Sequence, residues 1–281
     1  MPALREIQLF ELQMLKDVVK VCDDNNITYI LSSGNLLGAV RHGGFIPWDD
    51  DIDIYMPLPD YKKFLIIGQK KLGDKYFVQN YKTEKNYSEM WTQIRANGTT
   101  SMPVKNYKFD IHYGMCMDIF PMVGVSENPK KKLKQKKALD FNRLLLHDSY
   151  AKAVGEQINS KIKLIYLIPK CIRRLICKAN EHNIMLNPFK YNQWTIVWYS
   201  MEASAIQPRK LLGKYKKIRF EDDYFNTFDD YNLYLTNLYG DYMTPPPENK
   251  RGGHSDELGN IIFDLNKDYK DYKKEIIVKV D

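Results

Sequence analysis

The chain has 281 residues, of which 42 are Lys or Arg and 35 Asp or Glu, a formal charge of +7, with 44% hydrophobic and 13% aromatic content. That is enough apolar material for a core and excludes global disorder. Four scattered cysteines, Cys22, Cys116, Cys171 and Cys177, exclude a disulfide framework and fit reduced thiols, and no apolar run is long enough to span a bilayer.

In chain order, the first element is an amphipathic helix. Ile7, Phe10, Met14, Leu15, Val18, Val19 and Cys22 recur at helical spacing, and Asp23 to Asn26 end it. A short strand is predicted over Ile27 to Leu31, closing in the Ser32-Ser33-Gly34 turn. Asn35 then caps a helix through Val40, Gly43 and Gly44 break it, and Pro47 keeps the next turn extended. Asp51 to Met56 alternates acidic and apolar residues as a two-faced strand does. A helix follows from Pro59 to about Leu72, then strand-like runs at Tyr76–Tyr81, Met90–Ala96 and Met115–Pro121. From Asn128 to about Asn187 the chain turns basic and helical. Between Ile218 and His254 a helix is expected over Asp229–Tyr239, followed by the rigid Pro245-Pro246-Pro247 turn. The pattern predicts an α/β (α+β) protein, a mixed sheet with flanking helices. A catalytic core over residues 1–127 would be completed by a mainly helical elaboration over 128–281 as one compact unit.

The densest chemistry lies between Ser32 and Met56, where Asp49, Asp50, Asp51 and Asp53 place four carboxylates within five positions. Two like charges about 4 Å apart repel by roughly 4 kcal/mol at an effective dielectric near 20, so a folded chain keeps them together when a hard cation neutralises them. The run lacks the glycine and terminal glutamate of an EF-hand loop. Residues two apart on a strand point the same way, which makes Asp51 and Asp53 a ligand pair and turns Asp50 away. Asp118, between Met117 and Ile119 on a second strand, supplies a third carboxylate if the strands are neighbours. Three oxygen ligands completed by phosphate and water suit Mg²⁺, with Mn²⁺ as the alternative ion. Ser33 and Gly34 sit where backbone amides cradle a phosphate at a helix start, and Arg41-His42 provide a basic pair able to grip it or to serve the helix C-terminus. There is no Ser-His or Cys-His nucleophile dyad.

Three motifs in order carry a family resemblance: GNLLGAVRHGGFIPWDDDID, MDIFPM and YGDYMTPPPENKRGGH. Together they resemble the LicD family, which is similar to fukutin and the fukutin-related protein. The resemblance implies a nucleotidyltransferase fold and transfer of a phospho-alcohol, most often phosphocholine, from a CDP-alcohol donor to a hydroxyl of a cell-surface glycan precursor. It matches Asp51 and Asp53 to the metal pair, Asp118 to the third carboxylate, Gly34 to the phosphate turn and Arg41-His42 to the basic pair. Asn35 stands where the family commonly has threonine, at a position expected to contact the donor. Arg251 and His254, after the prolines, are expected to close over a phosphate. The acceptor of the hydroxyl proton is either Asp118 or Asp49.

Several alternatives stand beside this reading. The same fold can move a nucleotidyl group to a small molecule and release pyrophosphate. The lysine excess between Lys130 and Lys178 also suits a nucleic-acid-binding protein, although no DNA- or RNA-binding motif is present and no nucleic-acid partner is expected. Trp194 and Trp198, four apart, are either core or part of a cage for a quaternary ammonium. The segment Lys161–Lys178, kinked by Pro169, is either a packed helix with solvated lysines or a basic amphipathic surface for an anionic membrane. With no leader in view, the expected location is cytoplasmic, peripheral at the inner face of the membrane where the glycan is lipid-linked.

Overall fold

The computed structural model of the chain describes residues 2–153, 160–197, 205–253 and 260–280. It opens with α1 (Leu4–Asp24), β1 (Ile30–Leu31), α2 (Ser33–His42), β2 (Asp53–Pro57) and α3 (Leu58–Leu72). β3 (Tyr76–Gln79), β4 (Thr92–Ala96), β5 (Thr100–Pro103) and the ten-residue β6 (Cys116–Val125) follow. The basic region forms α4 (Pro129–Ala153), α5 (Ser160–Tyr166) and α6 (Lys170–Ile184). The remainder supplies β7 (Gln193–Ile196), β8 (Gln207–Pro208), β9 (Tyr215–Phe220), β10 (Asp223–Phe228), α7 (Tyr231–Tyr239), β11 (Ile261–Asp264) and α8 (Tyr269–Val280).

The main sheet is mixed, with strand order β1-β2-β6-β4-β3. β2 and β6 run parallel, while β1 and β4 flank them antiparallel. β6 is long enough to pair twice: its second half, Met122 to Val125, takes β7, which in turn takes β8. Strands from the later part of the chain therefore extend the sheet begun by the earlier part. β9 and β10 form a hairpin, and β11 pairs with β5 in a separate ribbon.

The two faces of the sheet differ as the period-two pattern requires. Ile54, Met56, Ile94, Met117 and Ile119 pack with Met14, Leu15 and Val18 of α1 and Phe64 of α3. On the other face Tyr55, Trp91, Phe120 and Met122 pack with Leu36 and Leu37 of α2, Trp194 of β7 and Tyr234 of α7. Trp194 is buried and stacked between Phe228 (5.6 Å, 28°) and Tyr234 (6.5 Å, 8°), which assigns it to the core and not to a ligand cage. Trp198 and His254 lie outside the described residues.

Pro169 does more than kink the basic segment. It caps α6 in an extended conformation, so α5 and α6 are separate helices. β2 begins at Asp53, two residues later than the alternation of Asp51–Met56 predicts. Among the described residues no helix is long and apolar enough to cross a membrane.

Candidate active site

β2 and β6 pair in the register Asp53–Asp118, Tyr55–Phe120. In a parallel pair, residues in register project to the same face, so Asp53 and Asp118 stand side by side at the start of two neighbouring strands. Gln93 of β4 lies opposite Asp118 and completes that row. The acidic residues ahead of β2 are irregular, so strand alternation does not apply to them. Asp49, Asp50 and Asp51 all line one cavity of about 660 Å³ with Asp53 and Asp118. The expectation that Asp50 turns away is thereby corrected: Asp50 is buried in the same wall.

Asn35 explains how this loop is held. Its side-chain amide donates to the Asp51 carbonyl at 2.9 Å, and its carbonyl oxygen accepts from the Asp53 amide at 2.6 Å. Buried and committed to the backbone, Asn35 positions the Asp51–Asp53 segment; it is not among the residues lining the cavity. Gln8 of α1 supports the loop from the other side, donating to the Asp49 carbonyl at 2.8 Å.

A sixth carboxylate enters from α1. Glu11 is 2% exposed, lines the same cavity, and its Oε2 has no hydrogen-bond partner among the described residues. Burial, reinforced by the charges of Asp50, Asp49, Asp53 and Asp118, holds its carboxyl well above the usual range. Asp51 is raised by burial and by Asp53, Asp49 and Glu11, and Asp53 by burial and by Asp118 and Asp49. Asp49 and Asp51 are joined by a side-chain hydrogen bond, a carboxyl–carboxylate contact that needs a proton. Such a floor is short of positive charge. Its donors are all oxygen, which suits a hard cation such as Mg²⁺ or Mn²⁺. Among the described residues no three His, Cys, Asp or Glu side chains converge as a ready-made cage.

At the start of α2, Ser33 has a left-handed backbone (φ 50°). Its amide is within 3.3 Å of the Tyr234 hydroxyl and its Oγ within 2.5 Å of the Tyr55 hydroxyl. Ser33 and Gly34 line the cavity, and a Cβ on Gly34 would stand 3.1 Å from Asp49 Oδ2. Arg41 and His42 close α2 at its other end and do not line the cavity. Arg41 donates to the Tyr242 carbonyl at 3.0 Å, and Arg251 lies over the Trp48 ring at 5.1 Å. His42 meets the same indole edge-on at 6.2 Å. The basic pair and Arg251 thus gather around Trp48, whose residue lines the cavity. Gly253 brings the last motif to the acidic loop, where an added Cβ would come within 2.5 Å of Asp50 Oδ1.

Motif reading missed Glu11, whose position on the apolar stripe of α1, four after Ile7 and three before Met14, was its only signal. It also missed Tyr87, Glu89 and Trp91, which reach the cavity from the segment before β4 and match no motif.

An acidic row on two parallel strands, flanked by a helix start in one open-sided cavity, is a frame suited to phosphate transfer. Residues 26–147 match the family model described as LicD/FKTN/FKRP, nucleotidyltransferase domain. The chain is 27% identical over 268 residues to the lipopolysaccharide cholinephosphotransferase LicD of Haemophilus influenzae, covering 92% of this chain and 98% of that protein. A shorter match of 43 residues, 49% identical, relates it to the human ribitol 5-phosphate transferase FKRP, over 15% of this chain and 9% of that one. An uncharacterised protein of Rickettsia prowazekii is 57% identical over 42 residues, 15% of this chain and 16% of its own length.

Proposed function

We propose that this phosphotransferase moves a phospho-alcohol, phosphocholine in the first instance, from a CDP-alcohol to a hydroxyl of a glycan and releases CMP. The observation that carries the reading is the Asp53–Asp118 pair, in register on adjacent parallel strands that line one cavity. The full-length similarity to a lipopolysaccharide cholinephosphotransferase supports the choice of group and of a glycan acceptor.

Asp53 and Asp118, with Asp51 beside them, would hold the divalent cation. When bound, Mg²⁺ or Mn²⁺ would supply positive charge against the pyrophosphate and the phosphate that leaves with CMP. Asn35 keeps Asp51 and Asp53 in place through their backbone. The acceptor hydroxyl forms the new P–O bond to the phosphorus bearing the alcohol as the bond to CMP breaks. Its proton passes to a carboxylate, for which we assign Asp49, since Asp118 is committed to the cation. Glu11 adds negative charge behind the pair and deepens the attraction for the ion.

The test is CMP release from CDP-choline by the purified protein with Mg²⁺ and a lipopolysaccharide-type acceptor. CMP, not pyrophosphate, is the expected product, and it separates this reaction from nucleotidyl transfer. Asp53→Asn and Asp118→Asn should each lower the rate by at least ~10²-fold, and chelation should abolish it. Transfer that survives EDTA or either substitution refutes the metal-assisted mechanism.

We propose a further partner for the basic helices. Leu164 and Leu167 are exposed at 69% and 77%, as are Ile172 and Leu175 three apart on α6. Lys163 and Lys178 are exposed among them, whereas Lys170 donates to Asn86 and Arg174 to the Glu84 and Lys85 carbonyls. Apolar side chains set among cations support a peripheral contact with an anionic membrane, where lipid-linked acceptors reside.

A further inference from the structure

Behind the acidic row of the sheet lies an aromatic one that the transfer step does not use. Tyr55 and Phe120 are in register on β2 and β6, two residues beyond Asp53 and Asp118 on the same face. Trp91 enters β4 beside them, since Thr92 faces Ile119 and Gln93 faces Asp118. The Trp91 and Phe120 rings are 5.3 Å apart at 35°. Two residues along a strand advance roughly 6.6 Å, a reach comparable with the two-carbon link between phosphate and nitrogen in a choline phosphoester.

The segment before β4 finishes this corner of the cavity. Tyr87 is 3% exposed and lines it, and its hydroxyl has no hydrogen-bond partner among the described residues. Glu89 lines it too, half-buried, and accepts a hydrogen bond from Ser88 Oγ at 3.2 Å. Burial raises the Glu89 carboxyl above its ordinary range, with the charges of His147 and Arg143 opposing the rise. An orphaned hydroxyl and a desolvated carboxylate are both unfavourable in an aromatic wall. A cation seated there would offset the buried carboxylate and lie against the oxygen of the Tyr87 hydroxyl: ring faces and a carboxylate are what bind a quaternary ammonium, which offers no N–H to donate.

We infer that Tyr87, Glu89, Trp91 and Phe120 form the subsite for the cationic head of the transferred alcohol, one strand row from the carboxylates that serve its phosphate. The inference deepens the proposed reaction and rests on its reading of the donor as a CDP-alcohol. It makes the enzyme selective for a cationic alcohol of the choline class over neutral polyols such as glycerol or ribitol, and it places that choice largely in Tyr87, Glu89 and Trp91, outside the sequence motifs, with Phe120 of MDIFPM beside them.

The experiment compares the affinities of CDP-choline and CDP-glycerol, measured calorimetrically with Mg²⁺, in the wild type, Glu89→Gln, Trp91→Phe and Trp91→Leu. The wild type should bind CDP-choline at least ~10-fold more tightly, as one or two desolvated cation–π contacts imply. Glu89→Gln and Trp91→Leu should reduce that preference to about twofold, while Trp91→Phe keeps most of it. CDP-glycerol affinity should hold across the series, which shows that the fold and the nucleotide end are intact. Equal affinities in the wild type, or a parallel loss of both nucleotides in Glu89→Gln, overturns the subsite while leaving the transfer reaction standing. Should neither nucleotide bind, the reading of the donor falls. Tetramethylammonium quenching of tryptophan fluorescence then decides: quenching lost in Glu89→Gln upholds the cation subsite, and quenching absent or unchanged refutes it.

Discussion

Asn35 is the residue whose identity the site depends on without its touching substrate. One amide group satisfies the Asp51 carbonyl and the Asp53 amide at once, so truncation leaves two buried backbone groups exposed to the cost of an unmade hydrogen bond. Asn35→Ala should lower stability by about 1–3 kcal/mol, read by urea denaturation, and should reduce transfer through a displaced Asp51–Asp53 segment. Asn35→Asp keeps the acceptor for Asp53 but loses the donor to Asp51, and should recover less than half of that loss. The motif drew attention to Asn35 without showing what it holds, because a side chain's hydrogen-bond partners are not visible in linear spacing. Glu11 is the converse case. It interrupts an apolar stripe whose other members all face the core, and a lone acid there reads as an exception until the sheet brings five aspartates around it. An acid that burial and neighbouring carboxylates hold well above its usual range costs stability, and a neutral amide avoids that cost. Glu11→Gln should stabilise the chelated protein by about 1 kcal/mol, measured by thermal unfolding in EDTA, and weaken Mg²⁺ binding in a titration of the same protein.

At the level of elements, the β2–β6 pairing was legible before the fold was known. Asp-x-Asp and MDIFPM both read as acidic starts to apolar strands, and side-by-side placement was the simplest way to join their carboxylates. What alternation could not show was where β2 starts. Asn35 holds Asp51 to Asp53 from α2, and this tertiary clamp overrides the local pattern. β7, β8 and β11 escaped notice because strands of two to four residues are shorter than any periodicity that could reveal them. The β9–β10 hairpin supplies another tertiary device. Glu221 at its turn takes a bidentate contact from Arg5 of α1 (2.9 and 2.6 Å) and accepts from the Phe45 amide at 3.0 Å. A Cβ on Gly44 would come within 2.2 Å of Glu221 Oε1, so the tight fit requires glycine there. Hydrogen bonding from Arg5 holds the Glu221 carboxyl below its ordinary value. A depressed carboxyl stabilises the fold in full above the unfolded pKa, and the contribution disappears as pH falls through the folded one. Arg5 is half exposed, so screening limits the contact to roughly 1 kcal/mol. Glu221→Gln should therefore lower the melting temperature by about 2–4 °C at neutral pH, with the gap closing on acidification and shrinking in high salt.

For the whole molecule, charge and apolar exposure are distributed unequally. The cavity draws its walls from α1 to β11 and gathers the acids, while the basic helices α4 and α6 carry much of the net +7 on another part of the surface. Sequence alone placed the cations of Lys161–Lys178 but not its leucines, because a helix face is only known to be unpartnered once everything that packs against it is known. Leu164, Leu167 and Leu175 are two-thirds exposed or more, a cost that water imposes and a lipid interface removes. If lysines alone governed the contact, any polyanion would compete and salt would abolish it. If leucines alone governed it, neutral lipid would serve. Both together require anionic vesicles and leave a salt-resistant remainder. The protein should float with phosphatidylglycerol-containing liposomes and remain at the bottom with phosphatidylcholine ones, and the bound fraction should fall only in part as salt rises. Replacing Leu164, Leu167 and Leu175 together by serine should abolish the salt-resistant fraction and leave CMP release onto a soluble acceptor unchanged, since none of the three lines the cavity. Equal flotation with both lipids, or none with either, would return these helices to the role of a solvated cover on the sheet.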